Sequence, residues 1–260
     1  MSDKQTVLVT GASSGIGLQL ARLAAKDGHS LLITAREEAK LQYVASQLAD
    51  HFKVQVDFRA IDLAERGAVK KIIEWVGDRP VDILINNAGF GDFGEFALAD
   101  TKRIIDMMHV NMTVVTELMH WALPGMVKRH RGTVMNLASM AAFMSGPLMA
   151  TYHATKAYVL SLSEAVDQEL VGTGVHVMAV CPGPTATGFE QAAHIEESAF
   201  FRGPGVMSAE AVANAAWAGL EKHSRLVIPG WRNTVSVWLI RLAPRRLITS
   251  LVHHAQKRVP

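Results

Sequence analysis

Tyr152 and Lys156 stand four positions apart in the run Tyr152-His153-Ala154-Thr155-Lys156. On a helix that spacing stacks both side chains on one face, a turn apart. A phenol near its reference pKa of about 10 is a poor base at neutral pH, and an adjacent ammonium favours the phenolate. Such a tyrosine could donate a proton to a reacting oxygen or accept one from it. A Tyr/Lys pair at this spacing is also an ordinary feature of an exposed helix face. Its meaning therefore depends on what accompanies it.

The first companion lies near the start of the chain. Thr10-Gly11-Ala12-Ser13-Ser14-Gly15-Ile16-Gly17 closes an apolar run and opens a helical pattern. Glycines at such a turn let backbone N–H groups approach a pyrophosphate at the helix N-terminus. Gly11-Ala12-Ser13-Ser14-Gly15 also matches G-x-S-x-G, the nucleophile elbow of serine hydrolases. That elbow needs an oxyanion loop from an earlier strand, and only about ten residues precede Gly11. The second apolar run ends in Thr34-Ala35-Arg36. A site for NAD usually places an acid there, bonded to the ribose 2′-hydroxyl. A guanidinium suits a 2′-phosphate instead, through two parallel hydrogen bonds, so Arg36 points to NADP(H). Ser13 and Ser14 offer hydroxyls to the same phosphate. The competing role for Arg36 is a surface ion pair with Glu37 or Glu38.

These residues need a frame, and the hydrophobic pattern supplies one. Seven short runs rich in Val, Ile and Leu, at 7–10, 30–35, 54–58, 82–86, 133–139, 175–180 and 225–229, read as strands buried on both faces. Between them, stretches such as 17–26, 39–49, 64–76 and 101–128 repeat apolar residues at three and four. Strand and helix in alternation predict an α/β fold, a doubly wound parallel sheet of Rossmann type. No repeat or Pro/Gly-rich linker divides the chain, so residues 1–230 read as one catalytic domain and 231–260 as a helical extension. Asp62-x-x-Glu65 has capping-box spacing ahead of the third helical pattern.

The turn Thr-Gly-x-x-x-Gly-Ile-Gly, Asn86-Asn87-Ala88-Gly89 after the fourth strand, Tyr-x-x-x-Lys, and Pro182-Gly183-Pro184-Thr185-Ala186-Thr187 after the sixth together resemble the classical short-chain dehydrogenase/reductase family over residues 5–230. The resemblance implies strand order 3-2-1-4-5-6-7 and interconversion of a carbonyl and an alcohol. It implies catalytic roles for Asn111, Ser139, Tyr152 and Lys156. Ser139 would bond the substrate oxygen, Tyr152 carry the proton, and Asn111 hold a water that links Lys156 to solvent. Asp62 would accept from the adenine amino group, and Thr187, with Thr185, would face the nicotinamide carboxamide. The implied cofactor contacts are Gly11, Ser13, Ser14, Gly15, Ile16, Gly17, Arg36, Asp62, Leu63, Asn87, Ala88, Gly89, Tyr152, Lys156, Pro182, Gly183, Thr185 and Thr187. Residues 188–207 would form a lid over the substrate. Phe143, Met144, Met149, Phe189, Phe200, Phe201 and Met207 make an apolar pocket or ordinary core. His153 projects about 100° away from Tyr152 and is not counted as catalytic. A nucleotide-binding regulatory module without turnover remains the alternative.

The totals narrow the class further. At 260 residues and 49% hydrophobic, the chain buries a large core without disulfides, and its single cysteine, Cys181, allows neither a disulfide nor a cysteine metal cluster. Cys181 reads as a small buried hydrophobe. No apolar run reaches the length of a membrane span, and the N-terminal residues lack a signal-peptide pattern, so the expected location is the cytoplasm. Glu221 is the last acidic residue, and eight basic residues follow it, leaving the preceding part with 18 basic and 24 acidic groups, a balance of −6. Val235, Trp238, Leu239 and Leu242, then Leu247, Ile248, Leu251 and Val252 after Pro244, predict two basic amphipathic helices. Docking on the parent domain or in a homodimer or homotetramer is favoured over an anionic membrane surface. No nucleic-acid motif accompanies the charge.

Overall fold

The structure is a computed structural model that describes residues 4–189 and 205–256. The chain runs β1 (Thr6–Thr10), α1 (Gly15–Lys26), β2 (Ser30–Ala35), α2 (Glu38–Phe52), β3 (Val56–Ala60), α3 (Ala68–Val76) and β4 (Ile83–Asn86). Then come α4 (Thr101–Met108), α5 (Val115–Lys128), β5 (Gly132–Leu137), α6 (Ala150–Glu169) and β6 (Val175–Val180). The last part holds β7 (Thr185–Ala186), β8 (Met207–Ser208), α7 (Ala209–Glu221), β9 (Leu226–Val227), α8 (Trp231–Leu242) and α9 (Arg245–Gln256).

Alternation along each strand sorts side chains into two cores. Val7, Val9, Leu31, Ile33, Ile83 and Ile85 pack with α1, α2 and Trp217 of α7 on one face. Leu8, Leu32 and Leu84 pack with Ile72 of α3 and with Leu118 and Met119 of α5 on the other. Helices on both faces explain why the strands lack a polar side. The sheet order is β3-β2-β1-β4-β5-β6-β9, parallel throughout. This is the Rossmann-like doubly wound sheet, and all seven expected runs supply its strands. A small parallel pair, β7 with β8, stands outside it.

The boundaries differ in instructive places. β3 starts two residues later than its apolar pattern, and its side chains alternate between half-buried and exposed, as suits an edge strand. The helix expected over 64–76 begins only at Ala68, because Gly67 before it has φ 79°. The capping box does not form. Asp62 Oδ1 accepts from the Ala64 amide at 3.0 Å, and Glu65 pairs with Lys71 at 2.6 Å. The long helix expected over 101–128 is interrupted by a wider π turn at His109–Val114, which contains Asn111. Such turns concentrate at functional sites. No helix among the described residues is long and apolar enough to cross a membrane.

Strand order reverses between β1 and β4, and ligands of such sheets bind outside the carboxyl ends of strands at that point. The two loops there are bolted together. Asn87 Nδ2 donates to the carbonyls of Thr10 and Gly11 at 3.0 and 3.1 Å. Thr10 Oγ1 accepts from the amides of Asn87 and Ala88, both at 3.1 Å. Gly17 is buried against this bolt, and a Cβ there would overlap Asn87 Nδ2 and the Gly11 carbonyl. Gly17→Ala should therefore destabilise the fold by about 1–3 kcal/mol in urea unfolding, the usual effect of overpacking, and weaken dinucleotide binding in parallel.

Candidate active site

A cleft of about 870 Å³ opens at this reversal. At one end it is lined by Gly11, Ser13, Ser14, Gly15 and Ile16 of the first turn, by Arg36 after β2, and by Asp62 and Leu63 after β3. Asn87, Ala88 and Gly89 form its middle, with Pro182, Gly183, Thr185 and Thr187 opposite. Ser139, Tyr152 and Lys156 lie at its other end. Two of the sequence-derived residues sit behind this wall. Gly17 serves the close packing just described, and Asn111 is buried beneath Gly89.

The Ser14 side chain makes no capping bond at the start of α1. Its hydroxyl is thus available at a helix N-terminus that favours anions. Arg36 is exposed and forms no ion pair with Glu37 or Glu38. Lys40, one helical turn further on, lines the same end, as does Glu37. Sequence reasoning missed Lys40, although an i+4 spacing from Arg36 could have signalled it. The nucleophile-elbow alternative finds no support, since no histidine among the described residues hydrogen-bonds Ser13.

Ser139 ends the segment after β5, where the Ala138 amide is held by the Val180 carbonyl at 2.8 Å and the Met140 amide by the Pro182 carbonyl at 2.9 Å. Its Oγ accepts from the Ala141 amide at 3.1 Å, which leaves its O–H to donate. Tyr152 and Lys156 occupy successive turns of α6, as the spacing requires. Lys156 Nζ donates to the Leu137 carbonyl at 2.7 Å and lies 5.8 Å from the Tyr152 ring centroid. Burial pushes the Tyr152 phenol up to about 12, against a hydrogen bond from Ser139 that favours the phenolate. Burial also brings Lys156 down to about 8. In the protein alone, desolvation of the phenol thus outweighs the lowering effect of Ser139. Desolvation acts on both groups, and the amine directs a proton to Leu137.

Asn111 spends its amide on the frame. Its Oδ1 accepts from the Phe90 amide at 3.1 Å, while Nδ2 donates to the Phe90 carbonyl at 2.9 Å and to Thr155 Oγ1 at 3.1 Å. Thr155 Oγ1 in turn donates to the Tyr152 carbonyl at 2.8 Å. Asn111 therefore ties the loop after β4 to the helix that carries the tyrosine. Both its N–H groups are committed, so a water at Asn111 would have to donate to one of its oxygens.

The end of the cleft beside Tyr152 is apolar. Met149 and Phe189 pack against Tyr152 there, the Phe189 ring 5.2 Å from that of Tyr152, and Phe90, Val110, Met144 and Val252 also line the cleft. Phe143 is elsewhere, under the Arg241 guanidinium at 5.5 Å, and Met207 packs towards Gly230. Phe200, Phe201 and most of the expected lid fall outside the described residues. Cys181 is buried, and burial raises its thiol to about 12, as fits an inert packing residue.

One polar pair was not foreseen. His153 Nδ1 lies 2.9 Å from the Met144 carbonyl, which can only accept, so the ring proton sits on Nδ1. Burial lowers the His153 pKa and keeps the ring neutral. Its Nε2 then accepts from Gln256 Nε2 at 3.2 Å, and the Gln256 oxygen is left buried without a partner in a residue 6% exposed. Both residues line the cleft. They lie 103 positions apart, and no local pattern joins them.

The profile of the short chain dehydrogenase family matches residues 5–198. Hydroxysteroid dehydrogenase-like protein 1 of Gallus gallus is 31% identical over 238 residues, covering 89% of this chain and 70% of that protein. The solved short-chain dehydrogenase from Sphingobium yanoikuyae, in complex with NADPH, superposes with a TM-score of 0.84 at 32% identity, covering 97% of this chain and 98% of the other. The bulky-bulky ketone specific alcohol dehydrogenase from Comamonas testosteroni gives a TM-score of 0.80 at 29% identity and covers 93% of both chains. A parallel seven-strand sheet, a glycine turn at its switch point and a Ser/Tyr/Lys group at the far end of one cleft agree with these likenesses: the chain belongs to the short-chain dehydrogenase family of oxidoreductases.

Proposed function

We propose that this protein uses NADPH to reduce a bulky, mostly apolar carbonyl compound to the alcohol, and runs the reverse reaction with NADP+. The observation that carries this reading is the placement of Ser139, Tyr152 and Lys156 at one end of a cleft whose other end holds the glycine turn and Arg36. The residues present fit a dinucleotide. The turn Gly11–Gly17 leads into a helix N-terminus, and a Cβ at Gly15, whose φ is +55°, would crowd Thr187. Bound there, the cofactor supplies the hydride.

The chain's own residues manage the proton. The Ser139 and Tyr152 hydroxyls both line the same end of the cleft, where each has an O–H to turn towards a carbonyl oxygen. A phenol held protonated by burial acts as the general acid, and the Lys156 ammonium beside it returns a proton to the phenolate that results. Asn111 keeps α6 in register with the loop after β4.

Preference for the phosphorylated cofactor is supported by unpaired Arg36 with Lys40 beside it, by the lack of an acid at the end of β2, and by the NADPH found in the Sphingobium yanoikuyae relative. A bulky substrate is supported by the apolar lining and by the ketone specificity named for the Comamonas testosteroni neighbour. The partnerless Gln256 oxygen adds one acceptor, which suits a substrate with an O–H or N–H away from its carbonyl.

Tyr152→Phe should lower NADPH-dependent kcat on bulky ketones by about 10²–10⁴-fold while NADPH still quenches protein fluorescence. Wild-type protein that binds NADPH yet oxidises it with no ketone of such a panel would instead favour the regulatory module. Arg36→Asp should raise the KM for NADPH by about 10–100-fold, the effect of losing a charge-assisted pair, and lower that for NADH. An unchanged ratio would refute the cofactor assignment.

A further inference from the structure

The C-terminal helices are built inside out. Trp231, Val235, Trp238, Leu239 and Leu242 of α8 fall within a stripe about 100° wide on its helical wheel. That stripe faces away from the protein: Trp231 is 73% exposed, Trp238 61%, Leu239 62% and Leu242 82%. The one fully buried residue of α8, Val237, lies on the opposite side. In α9 the same division holds, with Leu247 and Leu251 outward and Val252 and Gln256 inward.

The charges around this stripe are all of one sign. Arg232 and Arg241 flank it on either side, each with its guanidinium over a stripe tryptophan, at 5.5 Å from the Trp231 ring and 5.9 Å from the Trp238 ring. Exposed Arg245 and Arg246 open α9, next to Leu247. No acidic residue occurs after Glu221. We propose that α8 and α9 form a docking face for the surface of an anionic lipid bilayer, with the tryptophan and leucine stripe entering the acyl boundary and the flanking arginines on the headgroup phosphates.

Charge decides between this occupant and a second copy of the chain. A two-fold dimer through the same face would bring two wholly cationic patches together, and a like-charge interface is disfavoured. An anionic bilayer neutralises them. No helix among the described residues is long and apolar enough to cross a membrane, and an amphipathic face of this kind lies on the bilayer surface. The arrangement also serves the cleft, because Val252 and Gln256 on the inner side of α9 are part of its wall. A lipophilic substrate dissolved in the bilayer would meet the helix that borders its own pocket.

The test is sedimentation of the full chain with sucrose-loaded phosphatidylcholine vesicles, with and without phosphatidylglycerol. The protein should pellet with the mixed vesicles, and less with phosphatidylcholine alone. Trp238→Asp combined with Leu242→Asp should reduce that binding by about tenfold or more, with melting temperature and NADPH affinity unchanged because both residues are exposed. Arg245→Glu combined with Arg246→Glu should weaken binding to the mixed vesicles only. Protein that stays in the supernatant with mixed vesicles would overturn the proposal. So would an oligomer, sized by light scattering, that the Trp238/Leu242 double variant splits into monomers, since the stripe would then be covered by a second copy.

Discussion

The site depends on an ammonium group that is almost fully buried at the wall of the cleft. Lys156 is buried between α6 and β5, and among the described residues its hydrogen-bond acceptor is the carbonyl at the end of that strand. An isolated charge there would be expensive, and the protein meets this partly by aiming Nζ at Leu137 and partly by bringing its pKa down to about 8. The neighbouring phenol is under the opposite pressure and keeps its proton. Their environments push the two pKa values apart, to about 12 and about 8, so that the ammonium readily returns a proton to a phenolate beside it. The rest of the architecture holds this pair still. β5 offers the carbonyl, α6 stacks the two side chains, and Asn111 locks α6 to the switch-point loop.

Much of this was legible in the sequence, because the features concerned are local. Seven apolar runs marked seven strands, and the Tyr152/Lys156 spacing placed both residues on one helical face. The turn from Gly11 to Gly17 announced its own position between strand and helix. What the sequence concealed was non-local or energetic. The π turn at Asn111 interrupts a helix whose apolar period runs on unbroken, since the wider turn is stabilised by bonds to Phe90 and Thr155, 21 and 44 positions away. The link from Gln256 to His153 joins the C-terminus to the centre of the chain. Spacing also gave no measure of the burial that raises the phenol's pKa in the protein alone, because it reveals which charge is near and not how much water has been removed.

The tail shows the same limit from another side. Its amphipathic period was readable, but the period states only that one face is apolar, not which face the protein keeps. The usual expectation is that the apolar stripe turns inward. Here the inward positions belong to Val237, Val252 and Gln256, and the larger apolar residues point out. The extension is thus two-sided, lining the cleft within through Val252 and Gln256 and presenting a basic, apolar surface outside.

The central claim is that a buried lysine governs the proton delivered by Tyr152, and the pH dependence of carbonyl reduction measures it most directly. With NADPH saturating, kcat/KM for a bulky ketone should hold steady below the Lys156 pKa and fall above about 8 with a single ionisation, as the ammonium that recharges the phenol is lost. In Lys156→Met the residual rate should be low and flat through that range. A wild-type profile without this limb, or one that survives in Lys156→Met, would contradict the account.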